Sequence, residues 1–522
     1  MFRSFGRVKR LLLGDLIARN TRYFPEKIAL IAEAERLTFS EFGAKVNQFA
    51  NALLALGLKR GDRVAIILRN CPSQVIAYFG PLKVGLCTVP LNFRLKGPEI
   101  AFILNDCEAK VLVYGYEFAP TIEEFKPDFA TVEHFLCLNP LAGDALDFSA
   151  LLEGARSEEP PGQEQLRDSD LSFILYTAGT TGFPKGVMLS HSNLLSNAIS
   201  TIVTLASPRF EDIYLMVLPL FHAAALGVEI RLLVAGAAQV LHESFDPVKT
   251  LQAIQDERVS WVSFVPTMIV GLLQVPELTT YDLSSLRIIS YGTAPISLAL
   301  LQQMMDAFHC EFNQGFGQTE HSPAISYLTS ADHVMDAPGK EILLKSVGRP
   351  IFNVQVRIVD DDDNDMENGQ TGEIIVKSDS VMQGYWNKPE LTDESLKNGW
   401  LHTGDLGKLD EHGYIFIIDR KKDMIKSGGE NIFPKEIEHV IYRMPEVLEC
   451  AVVGFPDDKW GEVVKAVIVL KEGESITAED VVERCVQSLA GFKKPRIVEF
   501  VQELPKNATG KILKYLLKNK AE

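Results

Sequence analysis

The sequence predicts an α/β protein of several domains: a large body of alternating strands and helices, a β-rich appendix and a small α+β C-terminal domain. Three observations lead there. The chain has 522 residues, whereas single hydrophobic cores stop growing near about 250–300 residues. Over roughly the first 300 residues, short apolar runs alternate with Gly or Pro breaks and helical stretches, the pattern of parallel sheets. The texture then changes twice, near residues 340 and 420, first to alternating strands and then to mixed helices and strands.

In chain order, MFRSFGRVKRLLLGDLIARN reads as a first helix with basic residues ahead of three leucines. Asp15 follows too closely for a secretory signal, and membrane-surface contact or an Arg-rich presequence is the lesser reading. Phe39–Leu56 is a helix. Val64–Leu68, Lys110–Val113, Ser172–Tyr176, Ile213–Leu218 and Trp261–Val265 are buried strands, because β-branched and aromatic residues run between breakers. Pro247–Glu257 is a helix with Asp246 as its N-cap. Val354–Val359 and Glu373–Lys377 are strands around the acid run Asp360–Asp363, which reads as a solvated hairpin tip ahead of a cation site. Beyond Arg420, Ala451–Val453 and Ala466–Leu470 are strands of the C-terminal domain.

Composition narrows the function. Lys and Arg number 52 against 69 Asp and Glu, a net charge of −17 that repels phosphate backbones and speaks against a nucleic-acid partner. Any anionic substrate needs a local site. The seven cysteines (Cys71, Cys87, Cys107, Cys137, Cys310, Cys450 and Cys485) form no CxxC pair, which suits reduced thiols and a cytoplasmic protein. No apolar run reaches the roughly 18–20 residues of a membrane span.

The strongest motif is Tyr176-Thr-Ala-Gly-Thr-Thr-Gly-Phe-Pro-Lys-Gly186, directly after a predicted strand. Glycines let backbone N–H groups approach an anion, threonine hydroxyls add donors, and Lys185 supplies the charge that the acidic surface lacks. The spacing is not that of a Walker A loop. Tyr291-Gly-Thr-Ala-Pro295 and Gln314-Gly-Phe-Gly-Gln-Thr-Glu320 read as turns at strand ends, where α/β sheets bind ligands. His402-Thr-Gly-Asp405 and the basic run from Asp419 to Lys426 lie near the expected domain boundary. Each of these later motifs, alone, is an ordinary turn or a solvated face.

Together and in this order, the motifs resemble the adenylate-forming superfamily of acyl-CoA synthetases, luciferases and peptide-synthetase adenylation domains. The resemblance runs from Leu37-Thr-Phe-Ser-Glu41 to Pro505-Lys-Asn-Ala-Thr-Gly-Lys511. It implies an N-terminal domain, 1–420, of two doubly wound α/β subdomains plus a β-barrel-like subdomain. A mobile α+β domain, 421–522, would be hinged near Lys422. It also implies two steps: ATP converts a carboxylate to an acyl-adenylate with loss of pyrophosphate, and a thiol then displaces AMP.

By that resemblance, Thr177, Gly179, Thr180, Thr181 and Lys185 cradle phosphates, together with Ala178, which stands where serine is frequent. Thr319 contacts the α-phosphate, and Glu320 with Thr177 holds Mg²⁺. Gly292, Thr293, Ala294 and Pro295 border the adenine, Phe316, where tyrosine is frequent, stacks on it, and Gln314, Gly315 and Gly317 belong to the same ATP/AMP site. Asp405 takes the ribose hydroxyls with Arg420 nearby. Lys511 bridges carboxylate and α-phosphate during adenylation. After a swing about Lys422, Lys426 and Ser427, Gly428 and Gly429 replace it and pass the pantetheine of CoA.

His222, Ala224, Val265, Tyr291 and Gln318 line the implied acyl pocket, with Val262, Phe264 and Pro266 as apolar walls. Small residues follow His222 and no Asp or Lys is there to hold an amino group, so an apolar acid is favoured, a medium- or long-chain fatty acid. The expectation is an ATP-dependent carboxylic acid–CoA ligase that takes ATP, CoA and a small carboxylic acid and forms a homodimer. A carrier-loading acyl-AMP ligase, an aryl- or branched-acid ligase, a luciferase-like oxidation and a non-catalytic adenylate binder stay open. The tight Gly348–Asn387 stretch and the retained Lys185, Glu320, Asp405 and Lys511 weigh against the first and last of these.

Overall fold

The computed structural model describes residues 11–33, 35–140, 144–177, 184–294, 296–333, 340–428, 430–457, 459–506 and 512–518, with 340 and 341 by backbone alone. The chain divides into two compact units, Met1–Gln355 with Val376–Leu401, and Val356–Ile375 with His402–Glu522. The division falls inside the strands Gln355–Val359, Gly372–Lys377 and Trp400–Leu409.

The first unit holds two large sheets. In the eight-stranded sheet, Arg63–Ile67 lies between Cys87–Pro90 and Ala109–Gly115, all parallel. Val64, Ala65, Ile66 and Ile67 are each fully buried, as expected of a strand covered on both faces. Val64, Ile66 and Ile67 each contribute about 1.5–3 kcal/mol by leaving water. One edge ends in the antiparallel hairpin Leu171–Thr177 and Lys185–Ser190, followed by Gly384–Tyr385. In the nine-stranded sheet, Ala238–Leu241, Ile213–Met216, Trp261–Phe264, Ile288–Gly292 and Glu311–Gly317 are parallel neighbours.

Local chemistry sets the element ends. Thr38 and Glu41 form a reciprocal cap on the helix Phe39–Ala55, with Thr38 N donating to Glu41 Oε2 at 2.8 Å. Asp246 caps Pro247–Asp256 by accepting from Lys249 N at 2.8 Å. Both helices fall within a residue of their expected ends. The first described helix is Leu13–Tyr23, where Asp15 accepts from Leu12 N at 3.1 Å. Leu12 and Leu13 are buried in the core, leaving Leu11 as the exposed member of the leucine trio. The basic residues before it lie outside the described residues.

The second unit is α+β. Its sheet runs Glu430–Ile432, Ile425–Ser427, Gly461–Leu470, Val447–Asp457, with Ile497–Phe500 parallel to Gly461–Leu470. Helices Pro434–Ile441 and Ala478–Ser488 bring Ile437, Ile441, Val481 and Cys485 against Val452, Val464 and Ile468. The expected strands Ala451–Val453 and Ala466–Leu470 are the middles of longer ones, Val447–Asp457 and Gly461–Leu470. Their polar ends are carried by antiparallel pairing out to Asp457 and Gly461. The acid run is a turn: Asp360 accepts from Asp362 N and Asn364 N, both at 2.9 Å, and Asp361 pairs with Lys421 at 2.8 Å.

All seven cysteines are free thiols. No helix among the described residues is long and apolar enough to cross a membrane.

Candidate functional site

The hairpin at the edge of the eight-stranded sheet carries the threonine- and glycine-rich loop. Thr177 and Lys185 are register partners, so the loop leaves and returns between a hydroxyl and an ammonium. Ala178, Gly179, Thr180 and Thr181 lie outside the described residues. Thr177 Oγ1 is buried and has no hydrogen-bond partner among the described residues. A buried unpaired hydroxyl is costly and marks a place where a ligand oxygen or cation would be welcome.

Lys185 Nζ lies 3.1 Å from Glu320 Oε1, with both side chains largely shielded. Glu320 sits on the short turn Thr319–His321 that follows strand Glu311–Gly317. A third residue, which sequence reasoning missed, joins them. Lys185 Nζ donates to the Tyr385 hydroxyl at 2.5 Å, and that hydroxyl donates to Glu320 Oε1 at 2.9 Å. Tyr385 lies 200 residues from Lys185 and 65 from Glu320. No spacing rule links such distant positions; only the pairing of Gly384–Tyr385 with Val187 and Met188 does.

The two strands expected to border adenine are adjacent, with Tyr291 opposite Gln314 and Gly292 opposite Gly315. A Cβ on Gly292 would meet Gly315 O at 2.5 Å, and one on Gly317 would meet Pro323 O at 1.9 Å, so both positions require glycine. Thr293 takes a left-handed φ of +64° and is exposed, as is Ala294. Pro295 lies outside the described residues. Phe316 is half-buried and pairs with Ser326 across an antiparallel ladder. Gln314 Oε1 is buried without a partner among the described residues.

Of the expected acyl-pocket residues, His222 directly precedes the helix Ala223–Ala235, with its ring 4.5 Å from that of Phe221. Burial, helped by the Arg94 charge, pushes its pKa down to about 4, so the imidazole is neutral at neutral pH. Ala224 is half-buried on the first turn of that helix, and Val265 directly precedes the helix Pro266–Leu273. Gln318 N donates to Pro323 O at 2.9 Å, closing the turn that carries Thr319 and Glu320. Tyr291 is buried, and its hydroxyl bonds His333 Nε2 at 2.8 Å, a partner that sequence reasoning did not anticipate.

In the second unit, Asp405 and Arg420 are register partners on antiparallel strands, and Arg420 Nε lies 2.9 Å from Asp405 Oδ1. Arg420 Nη1 also donates to Thr403 O at 3.1 Å, which fixes the guanidinium against a buried carboxylate. Lys422 is exposed on the turn Lys421–Asp423. Lys426 is exposed on strand Ile425–Ser427, and Ser427 is half-buried. Gly428 has φ +59°, and a Cβ there would strike the Trp460 ring at 2.6 Å. Gly429 and Lys511 lie outside the described residues.

Chains of known function carry the same organisation. Residues 17–386 match the AMP-binding enzyme family and 436–511 match its C-terminal domain. The chain is 39% identical to a feruloyl-CoA synthase of Amycolatopsis sp, over 96% of this chain and 97% of that one. It is 38% identical to a long-chain-fatty-acid–CoA ligase of Mycobacterium tuberculosis, over 92% and 93%. The structure of o-succinylbenzoate coenzyme A synthetase from Bacillus subtilis, in complex with ATP and magnesium ion, superposes with a TM-score of 0.84. That match has 31% identity and covers 97% of this chain and 99% of that one. With both family regions matched in order, this chain belongs to the AMP-binding enzyme family and is an acid–thiol ligase.

Proposed function

We propose that the chain is an ATP-dependent carboxylic acid–CoA ligase that works through an acyl-adenylate and takes an apolar acid, a medium- or long-chain fatty acid. The observation that carries the nucleotide half is the Lys185–Glu320 cluster at the mouth of the threonine- and glycine-rich hairpin. A cation and a carboxylate shielded together suit a triphosphate with its counter-ion. Glu320 and Thr177 fit a hard cation, since one offers carboxylate oxygen and the other a buried hydroxyl without a partner among the described residues. Those two residues would hold Mg²⁺, which when bound neutralises charge on the phosphate oxygens.

The chain's own groups then divide the work. Lys185 and Thr177 orient phosphates, and Thr319 meets the α-phosphate. The strands carrying Gly292 and Gly315 let the adenine approach backbone, and Phe316 offers a stacking face. Asp405 accepts from the ribose hydroxyls while Arg420 holds it in orientation. Lys511 stabilises the charge shared by carboxylate and α-phosphate in the first step. In the second step the domain beginning near residue 421 turns about Lys422, and Lys426, Ser427, Gly428 and Gly429 form the thiol path.

The neutral imidazole of His222 offers an N–H donor beside the acid, and Ala224, half-buried on the next helix, is a small side chain for the acyl pocket. The named relatives act on both aryl and long-chain acids, so chain length is decided by assay. The test incubates the protein with ATP, Mg²⁺, CoA and C2–C18, branched and aryl acids, and follows AMP, acyl-AMP and acyl-CoA by mass spectrometry. A band of fatty acyl-CoA products is expected. Preference for aryl acids would replace the substrate class, and acyl-AMP accumulating without acyl-CoA would move the acceptor to a carrier protein.

A further inference from the structure

The segment 378–386 is tethered along its whole length. Ser378 Oγ bonds His321 Nε2 at 2.8 Å, and Asn193 Nδ2 donates to Asp379 O and Val381 O, both at 2.8 Å. Met382 N donates to Glu320 O at 2.9 Å, so the segment is fastened to the backbone of the carboxylate it later meets. Gln383 N and Trp386 N donate to Met188 O and Gly186 O, both on the strand that begins at Lys185. Trp386 Nε1 donates to Asp106 O at 2.9 Å, and Tyr385 N donates to Thr392 Oγ1 at 2.9 Å. With the backbone held on both sides, the position of the Tyr385 hydroxyl is set by the fold.

We propose that Tyr385 is a positioning residue for the nucleotide: a neutral bridge that holds Lys185 and Glu320 in register so that each can turn to the phosphates and their counter-ion. This rests on the nucleotide reading of the site. Lys185 and Glu320 in direct contact satisfy each other, and a bound triphosphate has to compete with that pair. A phenol accepts from the ammonium and donates to the carboxylate at once, so both stay anchored when their direct contact opens. Because it is uncharged, it does so without changing the charge balance that the ligand meets. The ring also packs against the ammonium, whose Nζ lies 4.0 Å from its centroid, and phenylalanine would keep that contact.

Tyr385→Phe in the full chain separates hydroxyl from ring. Calorimetric titration with ATP in the presence of Mg²⁺ should show affinity weakened by about tenfold, the range for losing hydrogen bonds to charged groups. ATP titrated without Mg²⁺ should weaken less. The thermal midpoint and thioester formation from supplied acyl-adenylate should match the wild type. Wild-type affinity in Tyr385→Phe overturns the proposal. So does loss of both half-reactions in step with a fall in thermal midpoint, which marks a structural role. If the wild type binds no Mg²⁺–ATP, the nucleotide reading fails and the bridge falls with it. If it binds nucleotide but activates no acid, the acid reading alone fails, and the affinity comparison still decides Tyr385.

Discussion

The Lys185–Glu320–Tyr385 cluster and the Asp405–Arg420 pair are both shielded groupings of opposite charge, yet they are assembled in opposite ways. Asp405 and Arg420 face each other across one antiparallel ladder, 15 residues apart in the chain. A hairpin is enough to make that pair. Lys185, Glu320 and Tyr385 come from a hairpin edge, a turn after another sheet and a two-residue strand. They meet only once both large sheets of the first unit have formed. The local pair therefore needs the register of one ladder, whereas the distant cluster needs the packing of two sheets.

Variants that act on one half-reaction sharpen this contrast most. Lys511→Ala should lower acyl-adenylate formation by about 10³-fold or more while leaving thioester formation from supplied acyl-adenylate near the wild-type rate. Gly428→Val should do the reverse, because φ +59° and the Trp460 ring exclude a branched side chain there. Quantifying both half-reactions in each variant checks the pair, and equal losses would count against a swinging second domain.

Next in size is a direct test of the two groupings. Glu320→Gln and Asp405→Asn should each reduce kcat/KM for ATP by roughly 10²-fold. Glu320→Gln should also raise the Mg²⁺ concentration needed for half-maximal rate, and Asp405→Asn should not. A common shift in Mg²⁺ dependence would show that the two groupings do not divide the nucleotide as proposed.

The smallest effect concerns stability. Glu229 is fully buried on the helix Ala223–Ala235, and burial raises its pKa to about 7, against the opposing hydrogen bond from Gln239. The folded state thus holds a proton that the unfolded state releases near about pH 4.5, and its contribution is lost as pH rises through about 7. Glu229→Gln should melt a few degrees above the wild type at pH 8, and the difference should vanish below about pH 4.5. Melting curves across that range decide it. The buried neutral His191 and His321 act in the other sense, since their pKa values are pushed down to about 4 and stability falls as pH drops from about 6.5 toward 4.

Periodicity and breakers made the parallel strands legible because a strand buried on both faces has to be apolar throughout, as Val64–Ile67 is. Lys185 stands out from the residues of its own motif, whereas Glu320, Asp405 and Arg420 stand out only through the resemblance that the motifs carry together. Tyr385 left no such trace: its role depends on which strand occupies a sheet edge, and a tyrosine in Gly-Tyr-Trp reads equally as packing. Tyr291 shows the same limit. Its motif drew attention to the right strand, while the His333 that takes its hydroxyl lies 42 residues on, outside any motif.

What the sequence determined by itself is the class of architecture, which follows from local periodicity, and the family, which follows from its motifs taken together and in order. The tertiary structure alone decided which distant side chains share a hydroxyl, which carboxyls are buried and which imidazoles stay neutral. Those properties depend on sheet order and on exclusion of water, and both arise only when segments hundreds of residues apart pack together.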